Sequence, residues 1–227
     1  MVKSNLAEKQ TTELSTPQAY ENMGQDIGVE NMATPRLKLL QGISPEVDED
    51  KPGYVEGAKK GDIYNTVTGD LAKSIYVIPL KFTSGYVAFD KTERMPYYSK
   101  QAETNLFATA PEAVSELIAE GHQPDNFKIT KSHRHILIEV KRAEGSDDWK
   151  MVSPAISDWT NSKVKVGERW NSAIHAKGGP RFDCIWKLSS KTESYAGNQY
   201  YNFAYKYIGQ TPKELLEECA DLYNKIN

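Results

Sequence analysis

The segment SHRH at residues 132–135 offers the most obvious catalytic chemistry in the sequence. His133 and His135 are two positions apart on a predicted strand, so their side chains lie side by side and are able to share a metal ion. Two ligands do not complete a metal site, and the sequence contains no HExxH, CxxC, GxSxG or phosphate-loop motif. A metal-dependent nuclease using these histidines is therefore kept as an alternative, while the main prediction is a non-enzymatic protein without a cofactor.

A second pattern combines cations with aromatic rings. Residues 126–210 carry 14 Lys and Arg against 8 Asp and Glu, although the whole chain has a net charge of −3. Basic surfaces follow phosphates, and aromatic faces stack on bases. We therefore expect a nucleic-acid-binding site in this region, with these candidates: Lys131, His133, Arg134, His135, Lys141, Trp149, Trp159, Lys163, Lys165, Arg169, Arg181, Lys187, Lys191, Tyr195, Tyr200 and Lys206.

These residues must be positioned by the elements that the hydrophobic pattern predicts. Five strands are predicted at 74–89, 127–142, 149–157, 181–190 and 199–210, with a helix at 158–175 between the third and the fourth. The predicted organisation is a flexible N-terminal arm (1–33), a barrel domain (34–210) with an insertion (90–126), and a C-terminal amphipathic helix (211–227). Thr109 is predicted to cap a helix in the insertion, and Thr211 to begin the last helix with a capping box.

The order of these elements predicts the fold. Three strands, a helix and two further strands are typical of the OB-fold, a five-stranded Greek-key barrel that binds oligonucleotides. A β-sandwich would need more strands, and a parallel α/β fold would need a helix after most strands. The prediction is a mainly β chain with accessory helices (α+β), built as an OB-fold-like barrel, with another small mixed barrel as the alternative.

Strand alternation predicts where the candidate side chains point. Lys131, His133, His135 and Lys141 are expected on the outer face of the second strand. Arg181 and Lys187 are expected outside on the fourth strand, and Lys191 and Tyr195 in the loop that follows it. Lys131, Arg169, Arg181 and Lys187 should then share one cationic outer wall.

The segment QYYNFAYKYIGQ at 199–210 is either barrel core or a stacking surface. Tyr201, Phe203, Tyr205 and Tyr207 lie on one strand face, and core burial is favoured because a barrel must fill its interior. Trp149 and Trp159 flank the third strand and are candidates for stacking. By contrast, Trp170 and Trp186 lie on apolar faces and are predicted to be core.

Stretches such as KVKVGERWNSAI, GGPRFDCIWKLSS and NQYYNFAYKYIGQ, within residues 74–210, resemble the single-stranded-DNA-binding proteins of tailed bacteriophages. The resemblance implies an OB-fold, a role in coating DNA exposed during replication or recombination, contacts with replication or recombination proteins, and a location in the host cytoplasm. Several such proteins end in a long acidic tail, whereas this chain ends in a moderately acidic helix.

Other readings of the chain remain open. The acidic loop SPEVDEDKPG and the C-terminal helix suit a protein–protein scaffold on an OB-like barrel, and the helix suits a homo-oligomer contact. No apolar run approaches the length of roughly 18 residues that a membrane span needs, so no membrane partner is expected. Cys184 and Cys219 lack metal-pair spacing and are expected to be reduced thiols of a cytoplasmic protein.

Overall fold

A five-stranded antiparallel sheet forms the centre of the protein. The computed structural model describes residues 33–93 and 95–226. Its strands are β1 (Leu37–Leu39), β2 (Ile63–Asn65), β3 (Leu71–Ala72), β4 (Ser74–Asp90), β5 (Phe127–Arg142), β6 (Trp149–Thr160), β7 (Cys184–Tyr195) and β8 (Asn198–Gln210). Its helices are α1 (Ala110–Ala119), α2 (Ser162–His175) and α3 (Lys213–Lys225). The main sheet has the order β6-β5-β4-β7-β8, and β1-β2-β3 form a second small sheet.

Strands β7 and β8 form a long hairpin. They pair from Cys184↔Gln210 to Tyr195↔Asn198, and the turn residues Ala196 and Gly197 have φ values of 47° and 81°. Positive φ at both central residues belongs to a type I′ turn, whose twist matches that of paired strands. Strand β7 therefore continues through Tyr195, and the predicted loop after residue 190 is instead the end of this hairpin.

Strand β1 and the residues beside it lie between β6 and β8. Ile156 donates a backbone hydrogen bond to the carbonyl of Pro35, and Ser157 Oγ donates to the carbonyl of Leu37. On the other side, Gln41 Nε2 donates to the carbonyl of Tyr201, while Gln41 Oε1 accepts from the Tyr201 N–H. Residues 35–41 therefore link the two edge strands; we call this segment the edge clasp.

Apolar clusters lie on both faces of the main sheet. One face packs against β1, β2 and α2 around Trp159, Trp170 and Phe203. The other face packs against α3 through Leu215 and Cys219. Tyr201, Tyr205 and Tyr207 pack with the first cluster, which confirms the favoured core reading of the aromatic strand; Trp170 and Trp186 are buried as predicted.

The helix ends test the capping residues that the sequence predicts. Thr109 caps α1, as predicted, and it does so in a capping box with Glu112. The predicted capping box at Thr211 is wrong, because its hydroxyl donates to the carbonyl of Phe182 and Pro212 occupies the N-cap position of α3. Helix α2 begins at Ser162 rather than near residue 158, since β6 continues through Thr160.

The coarse prediction of a mainly β chain with accessory helices is confirmed. A closed barrel is not, because no backbone ladder joins β6 to β8 within residues 33–93 and 95–226. The predicted flexible arm lies outside the described residues apart from its last position.

Candidate nucleic-acid interface

The two histidines of SHRH are buried between β5 and α2, so their predicted place on the outer face is wrong. The exposed fraction is 3% for His133 and 0% for His135. Gly167 of α2 lies directly against both rings, and the ring of Trp159 packs at a tilt against His135, with the ring centres 4.5 Å apart. The absence of a side chain at Gly167 lets the helix approach the strand closely, which covers this face.

The environment of His135 keeps its ring neutral. Burial, followed by the nearby Arg181 and His133, holds the pKa of His135 well below its ordinary value of 6.5. Arg181 Nη2 lies 3.3 Å from His135 Nδ1 and donates to Asn171 Oδ1 at 2.7 Å. Burial also lowers the pKa of Arg181 to about 10. Arg181, predicted to bind phosphate, is therefore half-buried and links β5 to α2.

Trp159 is a core residue rather than a stacking surface. It has no exposed area, and its ring stacks on Phe203 at 4.5 Å and on Trp170 at 5.3 Å. Its Nε1 donates to Ser157 Oγ at 2.9 Å. A base cannot reach this ring without unpacking the core.

Two further candidates are held in ion pairs. Arg134 binds both carboxylate oxygens of Asp158, at 2.8 and 3.0 Å, and also donates to Asn105 in the insertion. Lys131 lies 3.4 Å from Glu168 of α2. Arg134 therefore has a structural role that joins β5, β6 and the insertion, whereas the exposed pair at Lys131 is weak.

The predicted common wall of Lys131, Arg169, Arg181 and Lys187 is not formed. The first three lie at α2: Arg169 is exposed on the helix, and the other two contact it. Lys187 lies on the opposite face of the sheet, where its ammonium is 5.8 Å from the Tyr76 ring centre. Strand alternation explains the split, because the neighbours Trp186 and Leu188 point into the cluster under α2.

Lysines and tyrosines follow one face of the β7–β8 hairpin. Lys187 pairs directly with Tyr76 on one side and with Lys206 on the other. Lys191 and Tyr195 are an even number of residues from Lys187 in a ladder without a bulge, so they lie on the same face. Tyr200, which pairs with Glu193, lies on this face too. We call this set the hairpin strip: Tyr76, Lys187, Lys191, Tyr195, Tyr200 and Lys206. From residue 187 to 195 it is about 27 Å long at the usual strand rise.

Accessibility and charge vary along the hairpin strip. Tyr195 is 78% exposed, Lys191 and Lys206 are exposed, and Tyr76, Lys187 and Tyr200 are half-buried. Lys191 lies 2.6 Å from Glu193, whose pKa is lowered chiefly by that hydrogen bond. Lys187 and Lys206 have no carboxylate partner among the residues that the structure describes.

Trp149 lies next to Tyr76, at the end of the strip that is farthest from the hairpin turn. Its ring meets Tyr76 edge-on at 5.0 Å, and the Arg142 guanidinium is 4.9 Å from its centre. It also lines a groove of about 600 Å³ whose wall includes Asp147, Asp148, Glu214 and Glu218. Trp149 is therefore half-buried beside an acidic surface, and these carboxylates disfavour the binding of phosphates.

The remaining candidates lie apart from the strip. Lys165 is exposed on α2, and Lys141 is exposed on β5 opposite Lys150. Lys163 lines a separate, larger cleft that includes Thr160 and Asn161, just before α2. The structure thus brings together five of the sixteen predicted residues on the hairpin strip.

The comparison with protein families identifies the group to which the chain belongs. Residues 6–227 match a family model described as Pam3 phage gp34-like protein. The chain is a member of this phage family. No curated protein matches, and no solved structure matches. The match supports the bacteriophage part of the resemblance, and the gp34-like family description carries no biochemical activity.

Two further observations bear on the alternatives. Within residues 33–93 and 95–226, no three His, Cys, Asp or Glu side chains are grouped closely enough to hold a metal ion. In that same part of the chain, every helix is too short or too polar to cross a membrane.

Sequence reasoning missed Tyr76 and the cleft around Lys163. Tyr76 joins the strip only because β4 pairs with β7 at residues 74–77, and a single sequence does not show which residues of two strands pair. The alternation within SIYVIPL was a usable signal, since it places Tyr76 on the face opposite Ile75 and Val77.

Proposed function

We propose that this phage protein binds single-stranded DNA along the hairpin strip. The observation that carries the proposal is the pair Lys187↔Lys206. Like charges directly opposite on neighbouring strands are destabilising. Neither ammonium has a carboxylate partner among the described residues, so a phosphate of a bound strand would relieve this repulsion.

The tyrosines of the strip supply the second requirement of single-strand binding. Tyr195 is largely open to solvent at the turn, Tyr76 is half-buried beside Lys187, and Tyr200 is half-buried opposite Glu193. Base stacking on such rings contributes about 1–3 kcal/mol per base and tolerates any sequence. The expected path of the strand runs from Tyr76 towards Tyr195 and avoids the acidic groove at Trp149.

The topology supports an OB-type reading of this surface. The sheet order β6-β5-β4-β7-β8, with α2 between β6 and β7 in the chain, suits a five-stranded barrel that is open between β6 and β8. In OB-folds, the connection between the fourth and fifth strands commonly binds oligonucleotides. Here that connection is the tip of the β7–β8 hairpin.

Membership in a phage family and the resemblance to phage single-strand binders suggest the biological role. The protein would coat DNA exposed during replication or recombination in the host cytoplasm, in contact with replication or recombination proteins. A scaffold without nucleic-acid affinity is the competing function. Titration of a fluorescent oligonucleotide across a salt series separates the two, because only a strand-coating protein binds and weakens steeply with salt.

A further inference from the structure

A cleft of about 1200 Å³ lies apart from the hairpin strip. Its walls come from the edge clasp, the far ends of β4 and β5, the insertion, and the junction between β6 and α2. This volume is somewhat above the range typical of small-molecule sites. None of the six residues of the hairpin strip lines it.

Most cations of the cleft are already occupied by partners. Arg36 binds Asp158 at 2.7 Å, Lys38 binds Glu46 at 2.9 Å and Lys51 binds Asp48 at 3.1 Å. Lys91 makes no ion pair, but its ammonium donates to the carbonyl of Asp125 at 2.6 Å. Lys163 and Lys128 differ: within the described part of the chain, neither ammonium makes an ion pair or a hydrogen bond. The cleft therefore holds two ammonium groups without a carboxylate or hydrogen-bond partner among the described residues, although the carboxylates of Asp90 and Glu93 also line it.

Lys163 is the more informative of these two lysines. It is half-buried in the second position of α2, and burial alone lowers the pKa of its ammonium. Burying a charge without a partner is unfavourable, and a ligand that brings the opposite charge removes that cost. The N-terminal end of α2 adds to the preference for an anion through the helix dipole.

Other groups that line the same cleft suit a phosphate that carries an aromatic ring. Ser132 pairs with Thr160 at the end of β6, so Thr130 and Lys128 continue along β5 past the point where the chain turns into α2. Phe89 pairs with Lys128 on the neighbouring strand, which places an apolar ring beside the second free ammonium. Both members of this pair line the cleft, as do Thr130 and Thr160.

We propose that this cleft binds a nucleoside phosphate, with Lys163 and Lys128 at the phosphate and Phe89 against the base. This chemistry occurs in a free nucleotide and at the phosphorylated end of a DNA strand. The inference stands on the cleft alone, so it does not depend on strand binding at the hairpin.

The test is a titration of the full chain with deoxyadenosine monophosphate, with deoxyadenosine and inorganic phosphate as partial ligands. The monophosphate should bind more tightly than either part. Lys163→Gln should weaken its binding about tenfold or more, as expected for the loss of a charged contact. Lys165→Gln, on the exposed face of the same helix, should leave the affinity unchanged.

Oligonucleotides with and without a 5′-phosphate distinguish the two sources. If the phosphorylated strand binds more tightly and Lys163→Gln abolishes that difference, the cleft binds strand ends. If the two strands bind equally and monophosphate binding depends on Lys163, the cleft binds free nucleotides. If neither ligand binds, or if Lys163→Gln binds both as wild type does, the proposal is overturned. Lys128→Gln, an exposed strand position, carries the same test if Lys163→Gln does not fold. The double variant Lys187→Ala/Lys206→Ala should leave monophosphate binding intact. A failure of the hairpin proposal can therefore be distinguished from a failure of the cleft proposal.

Discussion

Gly167 of α2 touches His133 of β5 so closely that a Cβ at residue 167 would lie 2.8 Å from His133 Nδ1. The same Cβ would lie 3.3 Å from Nε2 of His135. This contact seats the helix on the sheet and buries both histidines. It accounts for a glycine in the middle of a helix, where glycine is otherwise unfavourable.

Gly167→Ala should therefore destabilise the protein, although alanine is the better helix former. Forcing a methyl group into a packed contact costs about 1–3 kcal/mol, which exceeds the gain in helix propensity of about 1 kcal/mol. Urea unfolding measures the difference. Ser172→Ala, at an exposed position of the same helix, is the control and should change the free energy of unfolding by under about 0.5 kcal/mol. A more stable Gly167→Ala protein would contradict this packing.

Stability should fall as the pH drops below 6.5. Burial lowers the pKa of His133 and, more strongly, of His135, so the unfolded chain binds protons that the folded chain does not. The stabilisation is complete above the unfolded value of 6.5 and decreases below it by up to about 1.4 kcal/mol per pH unit for each histidine. Urea unfolding at pH 7.5, 6.5 and 5.5 should show this slope, and His135→Gln should reduce it. Equal stability of the wild type at pH 7.5 and 5.5 would refute the buried neutral pair.

Gln41→Ala tests the edge clasp. It removes two hydrogen bonds to the Tyr201 main chain, and leaving these groups unpaired should cost about 1–3 kcal/mol. Glu49→Ala, which removes only an exposed contact to Tyr54, is the comparison and should be nearly neutral. Equal stabilities of the two variants would show that residues 35–41 do not hold the sheet edges together.

Cys219 reports on the docking of α3. Its side chain has no exposed area, and burial raises the pKa of its thiol to about 12, so alkylation in the folded protein should be slow. Leu215→Ala removes a buried contact of α3 and should accelerate the reaction of Cys219. Leu216→Ala, outside the buried cluster, should have a smaller effect. Fast alkylation of the wild type would mean that α3 is not held on the sheet. The docked helix also uses its own apolar face within the chain, and homo-oligomer formation through it stays a prediction.

The strands could be predicted because hydrophobic alternation is a local pattern. The predictions of which strand face is exposed failed where a helix covers that face. The alternation in β5 is clear, yet Gly167 allows α2 to cover His133 and His135 on a face that the pattern assigned to solvent. The polar composition of residues 191–198 predicted a loop, whereas the Ala196–Gly197 turn extends the hairpin through them. Cross-strand neighbours such as Tyr76 and Lys187 depend on register, which composition and periodicity do not encode.

The most direct test of the hairpin strip is the binding of a fluorescent single-stranded oligonucleotide, measured at several salt concentrations. The wild type should bind and weaken with salt. Lys187→Ala/Lys206→Ala should bind all sequences more weakly and lower the salt slope by about two phosphate contacts. Lys165→Ala/Arg169→Ala removes the same charge from α2 and should retain nearly full affinity. Wild-type affinity and salt slope in the Lys187/Lys206 variant, or a larger loss in the α2 variant, would contradict the account.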